Sequence, residues 1–212
     1  MKSSHRAHKI EFDLLSRNSV IIDAGMCIGD FTNYLRSHKN TKQCRIIGLE
    51  ACKRNFDILK RGNFGNTDVH HVALVGNNAP DVITFYDYTN FKGRGSIFDR
   101  HSSDMYPNIT SHETIKVKTV KINNLLNRFN IDKVDYLKMD IEGAEHEIFK
   151  TIDCGIAQKI DQISIEVHPI PKDRNIKPAM FLIKKLQDLG YNLELFPEIA
   201  EIYAVRKKII KC

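Results

Sequence analysis

Three acids in this chain stand where an acid is costly unless it has work to do. Asp23 closes the apolar run Val20-Ile21-Ile22 and is followed by Gly25 and Gly29. Glu50 closes the run Ile46-Ile47-Gly48-Leu49. Asp140 closes the stretch 134–140, and Glu142 and Glu145 come directly after it. An unpaired carboxylate at the end of a buried strand is unfavourable, so each reads as a group that faces a ligand. Alternation along 134–140 puts Lys138 and Asp140 on one face, and Leu137 and Met139 on the other. Near the end of 162–168, Glu166 and His168 share a face opposite Val167. A histidine there titrates near neutral pH and can act as a base. Acids decorating a helix N-terminus would account for Glu142 and Glu145 without any chemistry, but not for Asp140.

The glycines narrow the ligand. Gly25 lets backbone approach a ligand closely, and Gly29 lets the next helix pack against its strand. The spacing G-x-x-x-G with an acid before it is not the G-x-G-x-x-G of a dinucleotide site, nor is it a phosphate loop, since no Gly-Lys-Ser/Thr follows. A carboxylate at this place suits a cationic ligand. S-adenosylmethionine, with a sulfonium, an ammonium and no phosphate, fits. Glu50, at the end of the second strand, is placed to accept both hydroxyls of a ribose. Asp140, Glu142, Glu166 and His168 together offer donors to a hard divalent ion. No H-x-H or C-x-x-C spacing supports zinc, and His70 and His71 point to opposite faces of a strand, so a reaction without metal is expected.

These residues need a scaffold, and the periodicity supplies one. Residues 20–23, 44–50, 69–75, 134–140 and 162–168 read as strands of a parallel sheet, each ending near the candidate residues. Ile28, Phe31 and Leu35 mark a helix after the first strand, residues 55–60 a second, and Met180, Ile183, Leu186 and Leu189 the apolar stripe of a helix over 177–189. Residues 82–88 and 114–121 alternate and are expected to pair as a small inserted β-hairpin. The stretch 90–113 between them is long enough for a functional loop and is expected to choose the substrate. Residues 191–196 and 201–205 are expected to close the sheet as an antiparallel pair. Residues 11–17 read as a short helix covering the sheet edge or the cofactor pocket, with Phe12 and Leu15 inward. The whole is a doubly wound α/β sheet in one domain over 1–212, with a helical cover at 1–17 and an insertion at 82–121.

The 212 residues are 42% hydrophobic, enough for one α/β core. No run reaches the roughly 18 apolar residues of a membrane span, and residues 1–9 do not resemble a secretory signal. Five cysteines, an odd number without C-x-x-C, argue for a reduced, cytoplasmic protein. The net charge is +6, densest at 206–211. Without RNA-binding signatures, this reads as a solvated end and not as a nucleic-acid or membrane contact.

The stretches Ile22-Asp23-Ala24-Gly25-Met26-Cys27-Ile28-Gly29, Gly48-Leu49-Glu50, Val72-Ala73-Leu74 and, above all, Leu137-Lys138-Met139-Asp140-Ile141-Glu142-Gly143-Ala144-Glu145 resemble the FkbM family of S-adenosylmethionine-dependent methyltransferases. The likeness runs from about residue 20 to 168. It implies a Rossmann-like, class I methyltransferase fold with a mostly parallel seven-stranded sheet. It also implies methyl transfer to oxygen, on a sugar, a glycan or a small natural product. By it, Asp23, Gly25, Met26, Gly29, Glu50, Ala51, Ala73 and Asp140 form the cofactor site, with Asp140 facing the methyl group. Met26 and Cys27 depart from the smaller or polar residues usual there. Asp140, His168, Glu166 and Lys138 are the candidates for catalysis. Two other readings stand beside this one. A methyltransferase acting on RNA or DNA is permitted by the charge, but the chain has no [N/D]-P-P-[Y/F] motif. A silent cofactor-binding protein would be expected to have lost the strand-end acids.

Overall fold

The computed structural model describes residues 8–88, 95–99, 112–169 and 177–206. The loop expected over 90–113 and the basic tail 206–211 fall mostly outside them. In chain order the elements are β1 (Val20–Ala24), α1 (Asp30–Ser37), β2 (Arg45–Glu50), α2 (Lys53–Leu59), β3 (Thr67–His71), β4 (Ala73–Val75), β5 (Val82–Asp87), β6 (Gly95–Ser96), β7 (Glu113–Lys121), α3 (Leu125–Phe129), β8 (Val134–Met139), α4 (Glu145–Thr151), α5 (Cys154–Ala157), β9 (Ile160–Glu166), α6 (Lys177–Asp188), β10 (Tyr191–Phe196) and β11 (Glu201–Arg206).

Strands whose both faces are apolar assemble into a sheet covered on both sides. In β1, Ile21 and Ile22 point to opposite faces and both are fully buried. Ile21 joins Leu35, Ile46 and Tyr136 on one side of the sheet. Ile22 joins Ile47, Leu137 and Ile163 on the other, beneath α3, α4 and α6. Burial of each such side chain contributes about 1.5–3 kcal/mol. The resulting seven-stranded sheet has the order β10-β11-β9-β8-β1-β2-β3. β3, β2, β1, β8 and β9 run parallel. β11 is antiparallel to β9, and β10 to β11. This is the doubly wound sheet with a terminal antiparallel pair that the residue pattern predicts, and the Rossmann-like seven-stranded sheet that the family resemblance implies. The strand order reverses between β1 and β8, and ligands of open α/β sheets bind outside the carboxyl ends of the strands at such a point.

Several expectations change in detail. The predicted strand 69–75 is two strands in different sheets. β3 pairs with β2, the chain turns at Val72, and β4 pairs in parallel with β7. The predicted hairpin is therefore part of a four-stranded sheet, β4-β7-β5-β6, although β5 and β7 do pair antiparallel. The cover at 11–17 is one 3-10 turn, Phe12–Leu14, within an otherwise irregular strap. Leu15 is buried and Leu14 exposed. Ile28 precedes α1 and is exposed; Thr32 and Leu35 are the residues α1 buries. In α6 the expected stripe holds for Leu186, which is buried, and for Ile183 and Leu189, which pack against the core, but Met180 faces outward and Leu182, not anticipated, is buried. Cys27, Cys44 and Cys52 are free thiols, but Cys154 is disulfide-bonded, so the chain is not fully reduced as expected. Among the described residues, no helix is long and apolar enough to cross a membrane.

Candidate active site

The turn after β1 is locked between β2 and β8. The Gly25 and Met26 N–H groups both donate to the Leu49 carbonyl, at 2.9 and 3.2 Å, and Asp140 N–H donates to the Ala24 carbonyl at 3.1 Å. Gly25 has φ +77°, and a Cβ on it would stand 1.8 Å from the Asp140 carbonyl oxygen. Glycine is needed here for both conformation and space. Gly29, at φ +93°, packs against the Phe64 ring, where a Cβ would come within 2.4 Å. Met26 turns inward, its sulfur filling the space beside Gly48.

Asp23 is fully buried. Thr32 Oγ1 donates to its Oδ2 at 2.8 Å, and Lys138 Nζ lies 3.2 Å from its Oδ1. Lys138 Nζ also donates to the Gly25 carbonyl at 2.7 Å and stands 3.8 Å from Asp140. Burial works to lower the Lys138 pKa, but the Asp23 and Asp140 carboxylates outweigh it and hold the ammonium above its ordinary value. The pair ties β1 to β8 directly beneath the turn.

A cleft of about 640 Å³, part of it open to solvent, lies above these strand ends. Of the residues singled out in the sequence, Gly25, Glu50, Ala51, Ala73 and Asp140 line it. Asp23, Met26 and Gly29 are not among its lining residues; they hold the turn from below. Glu142 and Cys27, both also noted in the sequence, line it too, and Asn55, Phe85 and Ile97 are among the wall residues that carried no signal there. Glu50 sits in the wall, accepting the Cys27 N–H at Oε2 and the Cys52 N–H at Oε1, both at 2.7 Å. Burial pushes its carboxyl up to about 7, against the pull of those two N–H groups.

The sign of that shift gives a prediction. A carboxyl raised on folding contributes stability that is complete below its ordinary value and is lost as pH rises through the folded value. Between about pH 4.5 and 7 the ligand-free protein is expected to lose about 3 kcal/mol relative to Glu50→Gln. Urea midpoints of the two proteins across this range measure it. Parallel pH profiles would contradict the placement of Glu50.

Next to Asp140 lies the charge cluster. His168 Nε2 is 3.7 Å from Asp140 Oδ1, 3.5 Å from Glu142 Oε2 and 3.7 Å from Glu166 Oε1. His168 Nδ1 lies 3.0 Å from Glu145 Oε1, and Glu145 is fully buried. Burial opposes protonation of His168, but the hydrogen bond and charge of Glu145, with Glu142 and Asp140, raise it to about 9. His146 Nε2 at 3.0 Å from the His168 carbonyl oxygen fixes the backbone. Glu142 at φ +56° and Gly143 at φ +108° make two consecutive left-handed residues between β8 and α4. That conformation is unfavourable for Glu142, and such strain gathers at functional sites.

Asp140, Glu166 and His168 thus come together as the sequence predicts, with Lys138 buried just below. Two participants were not anticipated. Glu145 reads in the sequence as helix decoration, yet it anchors His168. His8 reaches the cluster from the N-terminal strap. His8 Nδ1 lies 3.2 Å from Ser164 Oγ, which donates to Glu201 Oε1 at 2.7 Å, and Lys9 N–H donates to the same carboxylate. Burial and the nearby Lys138 charge lower its pKa to about 3. Nothing local in the sequence marks His8, because its placement comes from contacts with β9 and β11.

The arrangement is that of a doubly wound ligand-binding domain with an ionisable cluster beside its cleft. Residues 23–193 match the family model of the methyltransferase FkbM domain, and the chain belongs to that family. Among its relatives, Methyltransferase 1 of Beauveria bassiana is 24% identical over 165 residues, covering 71% of this chain and 65% of its own length. Methyltransferase sdnD of Sordaria araneosa is 20% identical over 210 residues, covering 88% of this chain and 78% of its own. The crystal structure of methyltransferase FkbM from Methylobacillus flagellatus KT shares the fold, with TM-score 0.55 and 16% identity over 93% of this chain. The chain spans 48% of that protein's crystallised chain, and less than two thirds of the Beauveria relative.

Proposed function

We propose that this domain transfers a methyl group from S-adenosylmethionine to a hydroxyl of a sugar, a glycan or a small natural product. The observation that carries the reading is the cleft bounded by Gly25, Glu50 and Asp140, with its ionisable cluster at the Asp140 end. In this reading Glu50 accepts the ribose hydroxyls, Ala51 and Ala73 flank the adenine, and the glycine turn gives the methionine part room. Asp23, Met26 and Gly29 serve the cofactor indirectly, by fixing that turn. The acceptor oxygen attacks the methyl carbon in line with the carbon–sulfur bond. That bond breaks with its electron pair going to sulfur, which neutralises the sulfonium. The hydroxyl proton passes to a carboxylate of the cluster, with Asp140 the candidate base and His168 and Glu166 orienting it. Most of the catalysis is positioning. The whole of 1–212 is read as one domain acting in this way.

Cofactor carrying a labelled methyl group, incubated with pools of glycans, small hydroxylated compounds and RNA, tests the acceptor class. Label is expected in an ether linkage on a compound of the first two pools. Transfer to RNA, abolished by moderate salt, would favour the nucleic-acid reading instead.

A further inference from the structure

We propose that His8, Asp140, Glu142, Glu166 and His168 form a binding site for a divalent first-row transition-metal ion. The donors come from four separate places in the chain: the N-terminal strap, the β8–α4 turn, β9 and the residues after it. They form two triads sharing Asp140, His8–Asp140–Glu166 and Asp140–Glu142–His168, and within each triad the donor atoms all lie within 4.8 Å of one another. The three distances from His168 Nε2 to carboxylate oxygens, 3.5 to 3.7 Å, are long for direct hydrogen bonds. Ligands at right angles around one ion stand about 3 Å apart, so a small inward movement suffices. Oxygen and imidazole donors without a thiolate suit Mn²⁺ or a similar ion.

The outer contacts are also those of a metal site. A ligating histidine commonly gives its other ring nitrogen to a carboxylate or another fixed polar group, which sets the ring orientation. His168 uses Nδ1 on Glu145, and His8 uses Nδ1 on Ser164. In each ring this leaves the second nitrogen for the cluster. Independently of the donors, Glu145 is fully buried and its Oε2 has no hydrogen-bond partner among the described residues. A buried carboxylate oxygen without a partner calls for positive charge nearby. Without metal the protonated His168 ring meets the carboxylate's charge, and a divalent ion bound at His168 Nε2 would take the place of the proton there. Beside the cleft, such an ion would bind the acceptor hydroxyl and make its proton easier to remove. That role rests on the methyl-transfer reading, whereas the binding of metal does not. The sequence alone, lacking His8 and any close ligand spacing, points to a reaction without metal.

The test is titration of Mn²⁺ into the chelator-treated full chain, with the free ion followed by electron paramagnetic resonance. One ion per chain is expected, displaced by Zn²⁺. Glu142→Gln and His8→Ala are each expected to weaken binding tenfold or more, and Asp81→Asn, on the exposed β5 approach, not at all. His8→Gln provides a second variant if His8→Ala does not fold, as judged by its melting curve. No saturable Mn²⁺ binding at millimolar ion, or binding that the Glu142 and His8 variants leave unchanged, would overturn the proposal. S-adenosylmethionine is titrated into the same samples. Cofactor binding without metal binding overturns the metal site alone. Metal binding without cofactor binding overturns the methyl-transfer reading alone.

Discussion

Lys138→Ala is expected to destabilise the domain by about 3–5 kcal/mol, the cost of leaving a buried charge without its partner. Asp23 is fully buried, and Lys138 Nζ at 3.2 Å is its counter-charge. The same ammonium donates to the Gly25 carbonyl, so its loss also loosens the turn that borders the cleft. Urea denaturation of the ligand-free protein measures the effect. The double variant Asp23→Asn, Lys138→Met is expected to recover part of the loss, because it removes both charges. A change below about 1 kcal/mol for Lys138→Ala would mean that the pair contributes no more than a surface salt bridge.

Asp140→Asn and His168→Gln are each expected to lower turnover by about 100-fold or more, the range of acid–base contributions. The double variant should lose little beyond the worse single one, since residues acting as a unit are not additive. His168→Gln keeps a donor for Glu145 and so limits the disturbance to the core. Steady-state rates at saturating cofactor give the comparison. Losses that multiply in full would show that Asp140 and His168 act separately.

The sheet was legible because parallel strands buried on both faces leave continuous apolar runs, and the acids at their ends stand out against them. The roles at those ends were less legible. Asp23 in the sequence is indistinguishable from an acid facing a ligand; only the structure shows that Lys138, 115 residues away and in the neighbouring strand, takes its charge. Spacing alone identified Gly25 as a point of close approach but not its neighbour, the Asp140 carbonyl. The split of 69–75 into β3 and β4 left no trace in composition, since Val72 continues the apolar run through the turn. His8 was invisible for a different reason. Its position depends on a network in which His8 and Lys9 reach Ser164 and Glu201, partners 156 and 192 residues further along the chain.

The central claim is that the cleft beside Gly25 and Glu50 holds S-adenosylmethionine, and calorimetric titration of that compound into the wild-type chain and Glu50→Ala tests it most directly. The account predicts saturable binding at one site in the wild type. In the variant, loss of two charge-assisted hydrogen bonds to the ribose weakens binding by about 2–3 kcal/mol. Absence of heat and of any thermal shift at millimolar cofactor, or equal affinity in the two proteins, would contradict it.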